Sequence, residues 1–554
     1  MKHFLVLMLM FTLFFNCKQQ KETAKVTETS VKVKKAPFVW EAANIYFLLT
    51  DRFNNGDTSN DVNFDRTKKT GVNRGFEGGD IKGITQKIKE GYFTKLGVNA
   101  IWLSPIFEQI HGGTDESTGF SYGFHGYWTK DWTNLDPNFG TEADLKELIT
   151  VAHENDIKIL LDAVVNHTGP VTEKDPVWSN DWVRTEPQCV YKDYETFVSC
   201  TLVKNLPDVL TNSNEEVELP KELVEKWKSE GRLAQEQKEL DAFFAATGYP
   251  KAPRFYIMKW LADYVAEYGI DGYRVDTVKH VEESVWKEFR KICDDAFSTF
   301  KKANPANTLE DHFYLTGEVY GYGINGGRFY DYGDKKVDYF DNGFTSLINF
   351  DFKWTAKEWD IEKLFATYSD KIHGDLKGAS VLNYISSHDD GHPFDAKREH
   401  TYDAGTKLLL APGASQIYYG DETGRVLTND EAVGDAKLRS FMNWEDVNND
   451  DTKALLTHFQ KLGMFRKNHP SVGAGVHKML TQSPYTFKRT YTSEEFKDEV
   501  MIGLNLSEGV KEVEVAAVFK DGTIVNDAYS NQKATVTNGK ITIDSPYNIV
   551  LLEQ

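Results

Sequence analysis

Positive charge is in deficit. The 554-residue chain carries 64 Lys and Arg against 84 Asp and Glu, a formal net charge of −20 at pH 7. A surface of that sign repels phosphate backbones, which argues against nucleic acid as a partner. Cysteine is scarce, with four residues, so disulfides do not build this fold. Cys189 and Cys200 are nonetheless close together in a polar, aromatic segment, where export would permit a bridge. Cys293, inside the helical pattern WKEFRKICDDAF, reads as a buried free thiol. Long apolar runs are missing: beyond the N-terminus no stretch is long enough to cross a bilayer as a helix. No internal repeat is present, which argues against a solenoid.

The N-terminus has its own pattern. Lys2 and His3 precede an apolar stretch from Phe4 to Phe15, too short to span a bilayer and long enough for a signal-peptide core. It ends at Cys17 in LFFNC, with Asn16 where a small residue is usual. This resembles a bacterial lipoprotein signal, in which that cysteine is lipidated and becomes the mature N-terminus. Residues 1–17 are therefore expected to be a signal peptide with Cys17 as the lipidation site, and simple secretion is the alternative. Residues 18–36, rich in Lys, Glu, Thr, Val and Gln, read as a disordered tether. The expected location is a membrane-anchored position in the periplasm or on the cell surface.

What the chain has in abundance is aromatic residues, 13% of the total, within a hydrophobic fraction of 40%. That composition suits a large packed core equally with a surface that stacks on sugar rings. Its length suggests roughly two to four domains. Short apolar runs alternate with amphipathic helical patterns from about residue 44 to 470. The runs are IYFLLTD, AIWLSP, IKILLDAVVNH, DGYRVDTV, FYLTGEVY, a weaker VDYFDNGF, SVLNYISSHDD and SQIYYGDE. Eight of them predict an α/β fold, a closed parallel (β/α)8 TIM barrel over residues 37–167 and 254–470. Residues 168–253, rich in Asp, Glu, Lys, Asn and Trp, far exceed the connections of about 2–6 residues usual in such units. They read as an inserted domain on the barrel mouth, after the third strand. From 471 to 554, YTFKRTY, EVMIGLNL, VEVAAVF and KITIDSPYNIVLLE read as strands of a C-terminal all-β sandwich.

The chemistry-bearing residues cluster at the ends of these runs. DAVVNH ends in Asn166 and His167; GYRVDTVKH carries Arg274, Asp276, Lys279 and His280; LTGEVY carries Glu318; NYISSHDD ends in His388 and Asp389. A single carboxylate there could merely cap the next helix. Several strands delivering one each to the C-terminal face of a barrel point to an active site. Retaining glycosidases need two carboxyl groups about 5–5.5 Å apart, one a nucleophile and one an acid/base. Arg274 and Asp276 are two apart on a strand, so they share a side, and the guanidinium would keep that carboxylate ionised. Glu318 would need a raised pKa to hold a proton.

DAVVNH, GYRVDTVKH, TGEVY and SSHDD occur in the order of the four signature regions of the α-amylase family, glycoside hydrolase family 13. HGYW at His125–Trp128, LPD at Leu206–Asp208 and YYGDE at Tyr418–Glu422 are similar to further landmarks, over a span from about residue 40 to the end. The resemblance implies that Asp276 is the nucleophile, Glu318 the acid/base, and Asp389 the group that holds sugar hydroxyls in the transition state. It implies substrate contacts for Tyr127, His167, Arg274, Lys279, His280 and His388. It also implies calcium: a structural site using Asn166, Asp208 and the carbonyl of His280, and a second in DRFNNGDTSND…GGD using Asn55, Asp57, Asn60, Asp61, Gly78 and Asp80.

Within that family, Lys279-His280, GEVY and LPD favour a hydrolase of α-1,4-glucans such as starch, glycogen or maltooligosaccharides. LPDV departs from the commoner LPDL. The MPKLN-like sequence of cyclomaltodextrinases and neopullulanases is absent. A cyclodextrin-forming or other transglycosylase remains the alternative, because the second calcium loop is shared with such enzymes, and a hydrolase of the cyclomaltodextrinase or neopullulanase type is the other. A non-catalytic glucan-binding lipoprotein is remote, since all three carboxylates are present.

Overall fold

The computed structural model describes residues 36–305, 309–310 and 312–554. The expected signal peptide, Cys17 and the tether up to residue 35 lie outside the described residues. Residues 36–554 form one compact unit.

Eight strands close into a barrel: β1 Asn44–Leu48, β2 Ala100–Leu103, β3 Lys158–Ala163, β4 Gly272–Val275, β5 Tyr314–Gly317, β6 Ser346–Asn349, β7 Ser380–Tyr384 and β8 Ala414–Tyr418. Each pairs in parallel with its sequence neighbours, and β8 returns to β1. Nearly every strand residue is buried, because helices cover the outside and side chains fill the inside. That is why these runs are continuously apolar rather than alternating. The surrounding helices follow local signals. Thr141 and Asp144 form a reciprocal capping box ahead of helix Glu142–Glu154. Gly269, at φ +71°, ends helix Pro253–Tyr268 in the left-handed conformation that glycine adopts at low cost.

One strand differs from the sequence reading. VDYFDNGF does not enter the barrel: Lys336–Asp338 pairs antiparallel with Phe329–Asp331 in a separate hairpin, and the sixth strand is SLIN, Ser346–Asn349. The hairpin has exposed positions, whereas the four residues of β6 are all buried, so the longer aromatic run was the more conspicuous of the two.

Residues 168–253 are not confined to the barrel mouth. Val183–Arg184 pairs with Asp208–Val209 near the third-strand end, and Cys189 is disulfide-bonded to Cys200. Helices Lys221–Ser229 and Leu233–Thr247 instead press Leu223, Trp227, Leu240 and Phe244 toward the barrel's outer helix. Trp227 meets Trp260 edge-on at 5.9 Å. Cys293 is buried in helix Glu283–Ala303 and unpaired.

The C-terminal region is antiparallel. Strands β9 Val476–Gln482, β10 Tyr485–Thr492, β11 Lys497–Leu504, β16 Val550–Glu553, β13 Ile524–Asp527 and β14 Gln532–Thr535 form one sheet in that order. β12 Gly509–Glu514 and β15 Lys540–Ser545 form a second. Alternation divides their side chains. Val500, Ile502 and Leu504 of β11 join the barrel's apolar core, while Met501 faces a separate core with Val513, Ile541 and Ile543.

Candidate active site

Arg274, on β4, is the centre of the barrel mouth. Its Nη1 donates to Asp276 Oδ1 at 2.7 Å and its Nη2 lies 3.2 Å from Glu318 Oε2. Asp276 follows the end of β4 and Glu318 the end of β5, so adjacent strands bring them to one guanidinium. Nη1 also reaches both oxygens of Asp162, at 2.9 and 3.1 Å. Asp162 sits on β3 directly opposite Arg274 in register. It is fully buried and also accepts from Trp102 Nε1 at 3.0 Å and Tyr127 OH at 2.9 Å.

Sequence reading missed Asp162. It opens DAVVNH, whose polar end at Asn166 and His167 is the more conspicuous part. The available signal was an aspartate within an otherwise apolar strand, which needs a buried partner on a neighbouring strand.

The electrostatics separate the carboxyls. Burial pushes Glu318 well above the usual carboxylate range; Arg274 opposes this, while the charges of Asp276 and Asp389 add to it. Burial also raises Asp162, again with Arg274 opposing. For Asp389 the cost of desolvation is outweighed by His388, Arg274 and the Ser387 hydroxyl, and its pKa is lowered; Ser387 Oγ donates to it at 2.9 Å. Glu318 is thereby suited to carry a proton and Asp389 a charge.

The backbone between the two central carboxyls is tight. Thr277 adopts φ +50°, ψ +35°, uncommon for a β-branched residue. In that conformation its N–H donates to Glu318 Oε2 at 2.8 Å, and Val278 N–H donates to Glu318 O at 3.0 Å.

The remaining residues picked from sequence surround this centre. Tyr127 stacks on His388 with ring centres 5.2 Å apart and planes 16° from parallel. His167 Nε2 is 3.1 Å from Tyr127 O. Burial lowers the pKa of His167 and pushes His388 down to about 4. Lys279 donates to Tyr320 O at 2.8 Å and is pushed down to about 8 by burial, with Glu318 opposing. His280 Nδ1 is 3.0 Å from Phe197 O, and burial pushes it to about 4. Arg439, not picked out from sequence, donates Nε–H to His388 O at 2.9 Å. It comes from an irregular segment without a motif, and only the fold brings it there.

The residues expected to bind calcium divide into two places. Asp208 is buried, its Oδ2 is 3.0 Å from Arg184 Nε, and its Oδ1 has no hydrogen-bond partner. Asn166 is adjacent, its carbonyl accepting from Val209 N–H at 2.8 Å. In the second place Asn55 Oδ1 and Asn60 Oδ1 are both buried without partners, and Asn55 Nδ2 donates to Asp61 Oδ1 at 2.8 Å. Gly78, at φ +90°, lies so close that a Cβ would come within 2.4 Å of Asn55 Nδ2 and 2.6 Å of Asp61 Oδ1. Asp57 is paired with Lys82 at 2.5 Å. Asp80 caps helix Ile81–Lys89 through Gly83 N–H at 2.6 Å and accepts from Gly56 N–H and Asp57 N–H. Orphaned amide and carboxylate oxygens suit a hard cation. Among the described residues no three His, Cys, Asp or Glu side chains converge as a metal site, so in each place amide and backbone oxygens would have to complete the coordination that the aspartates begin.

Comparison with known proteins agrees with this geometry. The chain is 36% identical over 517 residues to the periplasmic α-amylase of Escherichia coli K12, covering 82% of this chain and 71% of that protein. An α-amylase from Anoxybacillus shares the fold, with a TM-score of 0.63 at 24% identity, over 93% of this chain and 99% of that one. A cyclomaltodextrin glucanotransferase with a three-domain ABC distribution does so with a TM-score of 0.61 at 21% identity, over 92% and 98%. The α-amylase catalytic-domain model matches residues 47–461, so the chain belongs to the α-amylase family, glycoside hydrolase family 13.

Proposed function

We propose that this protein hydrolyses α-1,4-glucosidic bonds in starch, glycogen or maltooligosaccharides, with retention at the anomeric carbon. The observation that carries the reading is the sharing of one guanidinium by Asp276 and Glu318, with burial keeping the latter protonated. Asp276 Oδ attacks the anomeric carbon while Glu318 gives its proton to the departing glycosidic oxygen, leaving a glucosyl ester on Asp276. Glu318, now a carboxylate, takes a proton from water. The water oxygen attacks the same carbon and frees Asp276. Asp389 accepts hydrogen bonds from the hydroxyls of the distorted sugar, Tyr127 stacks on its ring, and neutral His167 and His388 bind further hydroxyls. Lys279 and His280 line the leaving-group side.

Transfer to a sugar acceptor instead of water is the second reading. The loop Asn55–Asp61, with its orphaned amide oxygens, favours it as the feature shared with cyclodextrin-forming enzymes. Domain count does not separate the two readings, because a transferase of three-domain layout has the same fold. A time-resolved product profile on amylose, pullulan and cyclodextrins tests both. Linear products support hydrolysis, cyclic ones support transfer, and soluble starch with calcium that yields neither new reducing ends nor cyclic products would sink the enzyme reading.

Calcium belongs to the proposal as a structural ion, held by Asn166, Asp208 and the His280 carbonyl, and in the second loop by Asn55, Asp57, Asn60, Asp61, Gly78 and Asp80. It would tie these segments together through oxygen ligands. Lipidation of Cys17 after export is likewise proposed, with the E. coli relative's periplasmic name supporting export. Cys17→Ser should move the protein from the membrane fraction to the soluble one.

A further inference from the structure

Helix Phe352–Glu358 follows β6 at the barrel mouth, and two neighbouring residues at its start do opposite things. Lys353 is buried, and its ammonium pairs with the Asp390 carboxylate. That carboxylate also accepts from Tyr384 OH at 2.6 Å and His392 N–H at 3.1 Å. Asp390 directly follows Asp389, so the helix is fastened to the loop that carries a reacting-site carboxylate. Trp354 is left 44% exposed, and among the described residues no other tryptophan is as exposed. Its ring centre lies 5.9 Å from that of His392, with planes 42° apart, and the Lys353 ammonium is 5.0 Å from it. His392 and Asp389 are themselves exposed.

An exposed indole forgoes the stabilisation that burial would contribute. Here it is also held in place, because a buried ion pair one residue away fixes its helix. A fixed flat apolar surface loses little freedom when a ligand covers it. Such a face complements the C–H face of a pyranose ring, while His392 beside it offers a ring N–H to hydroxyls. We propose that Trp354 is a sugar-stacking platform that extends the cleft beyond the cleaved subsite, holding a further glucosyl unit of a longer α-glucan. This rests on the glucan-cleaving reading above.

The test compares maltoheptaose with maltotriose as substrates for wild type, Trp354→Ala and Trp354→Phe. Loss of one stacking contact should raise KM for maltoheptaose about tenfold in the alanine variant, with kcat unchanged and with recovery in the phenylalanine variant. Maltotriose kinetics should not move. An unchanged KM for maltoheptaose, or an equal rise on both substrates, overturns the proposal. Titrating maltoheptaose into Glu318→Gln, with and without Trp354→Ala, supplies the second readout. If Glu318→Gln binds the sugar equally well in both backgrounds, the platform alone is wrong. If wild type cleaves neither sugar and Glu318→Gln binds neither, the glucan reading beneath it fails as well.

Discussion

Asp162 and Arg274 face each other across β3 and β4 as register partners, joined at 2.9 and 3.1 Å in a fully buried setting. The pair is the foundation of the site, because the same guanidinium then reaches Asp276 and Glu318. Asp162→Asn preserves shape and removes the countercharge. It should lower kcat on the order of a hundredfold by displacing Arg274 from both carboxyls, with KM little changed. It should also cost about 1–3 kcal/mol of stability, because Arg274 loses a charged acceptor while Asp276 still balances its charge. Urea unfolding and steady-state kinetics on maltoheptaose check the two effects separately. Wild-type kinetics in a well-folded Asp162→Asn variant would mean that Asp276 and Glu318 alone hold Arg274.

The alkaline limb of the rate profile should report Glu318. Burial raises its pKa, and in the proposed mechanism loss of its proton ends acid catalysis. Lys279, pushed down to about 8, is charged below that pH and interacts with the Glu318 carboxylate. A cation favours the ionised form of a neighbouring acid, so removing it disfavours ionisation. Lys279→Met should therefore move the alkaline limb of kcat/KM to higher pH, whatever it does to the absolute rate. A limb that stays in place, or moves to lower pH, would separate Lys279 from the acid.

The sequence made the strand ends readable because a parallel barrel leaves its polar residues little choice of position. Runs buried on both faces are apolar, so NH, RVD, GE and HDD stand out where the strands stop. What it hid has physical causes. Asp162 is inside a strand, and its meaning lies in the register with Arg274. β6 is four residues long and was overshadowed by the aromatic hairpin just before it. Arg439 acts on a backbone carbonyl, which imposes no motif. Trp354 lies on a short helix whose anchor, Asp390, is distant in sequence.

Buried oxygens without partners predict a metal dependence. Asn55 Oδ1, Asn60 Oδ1 and Asp208 Oδ1 are all unsatisfied, and each such group costs about 1–3 kcal/mol. Calcium that binds only the folded chain should stabilise it by about 2.7 kcal/mol at a hundredfold excess over Kd. Chelation should lower the melting temperature, and added calcium should restore it. Gly78→Ala, which drives a methyl group into Asn55 and Asp61, should abolish the part of that response due to the second loop. Asp208→Asn should weaken the rest. A melting temperature indifferent to chelator in wild type removes calcium from both places.

Thr277 presents the sharpest conflict between stability and chemistry. Its left-handed backbone costs about 1–2 kcal/mol relative to a helical or extended conformation. Its Oγ1 is buried without a partner as well. The conformation persists because it places Asp276 on one side and aims the Thr277 N–H at Glu318 on the other, at 2.8 Å. Thr277→Gly relieves both costs while adding freedom to the unfolded chain, an opposing effect of about 0.5–1 kcal/mol. The net expectation is a protein about 1 kcal/mol more stable with a lower kcat, because the turn between the two carboxyls loosens. Thr277→Ala removes the hydroxyl and keeps the strained backbone, so it separates the two contributions. A gain in the alanine variant as large as in glycine would assign the cost to the orphaned hydroxyl. A gain in glycine alone assigns it to the backbone, and with it the precision by which this turn sets Asp276 against Glu318.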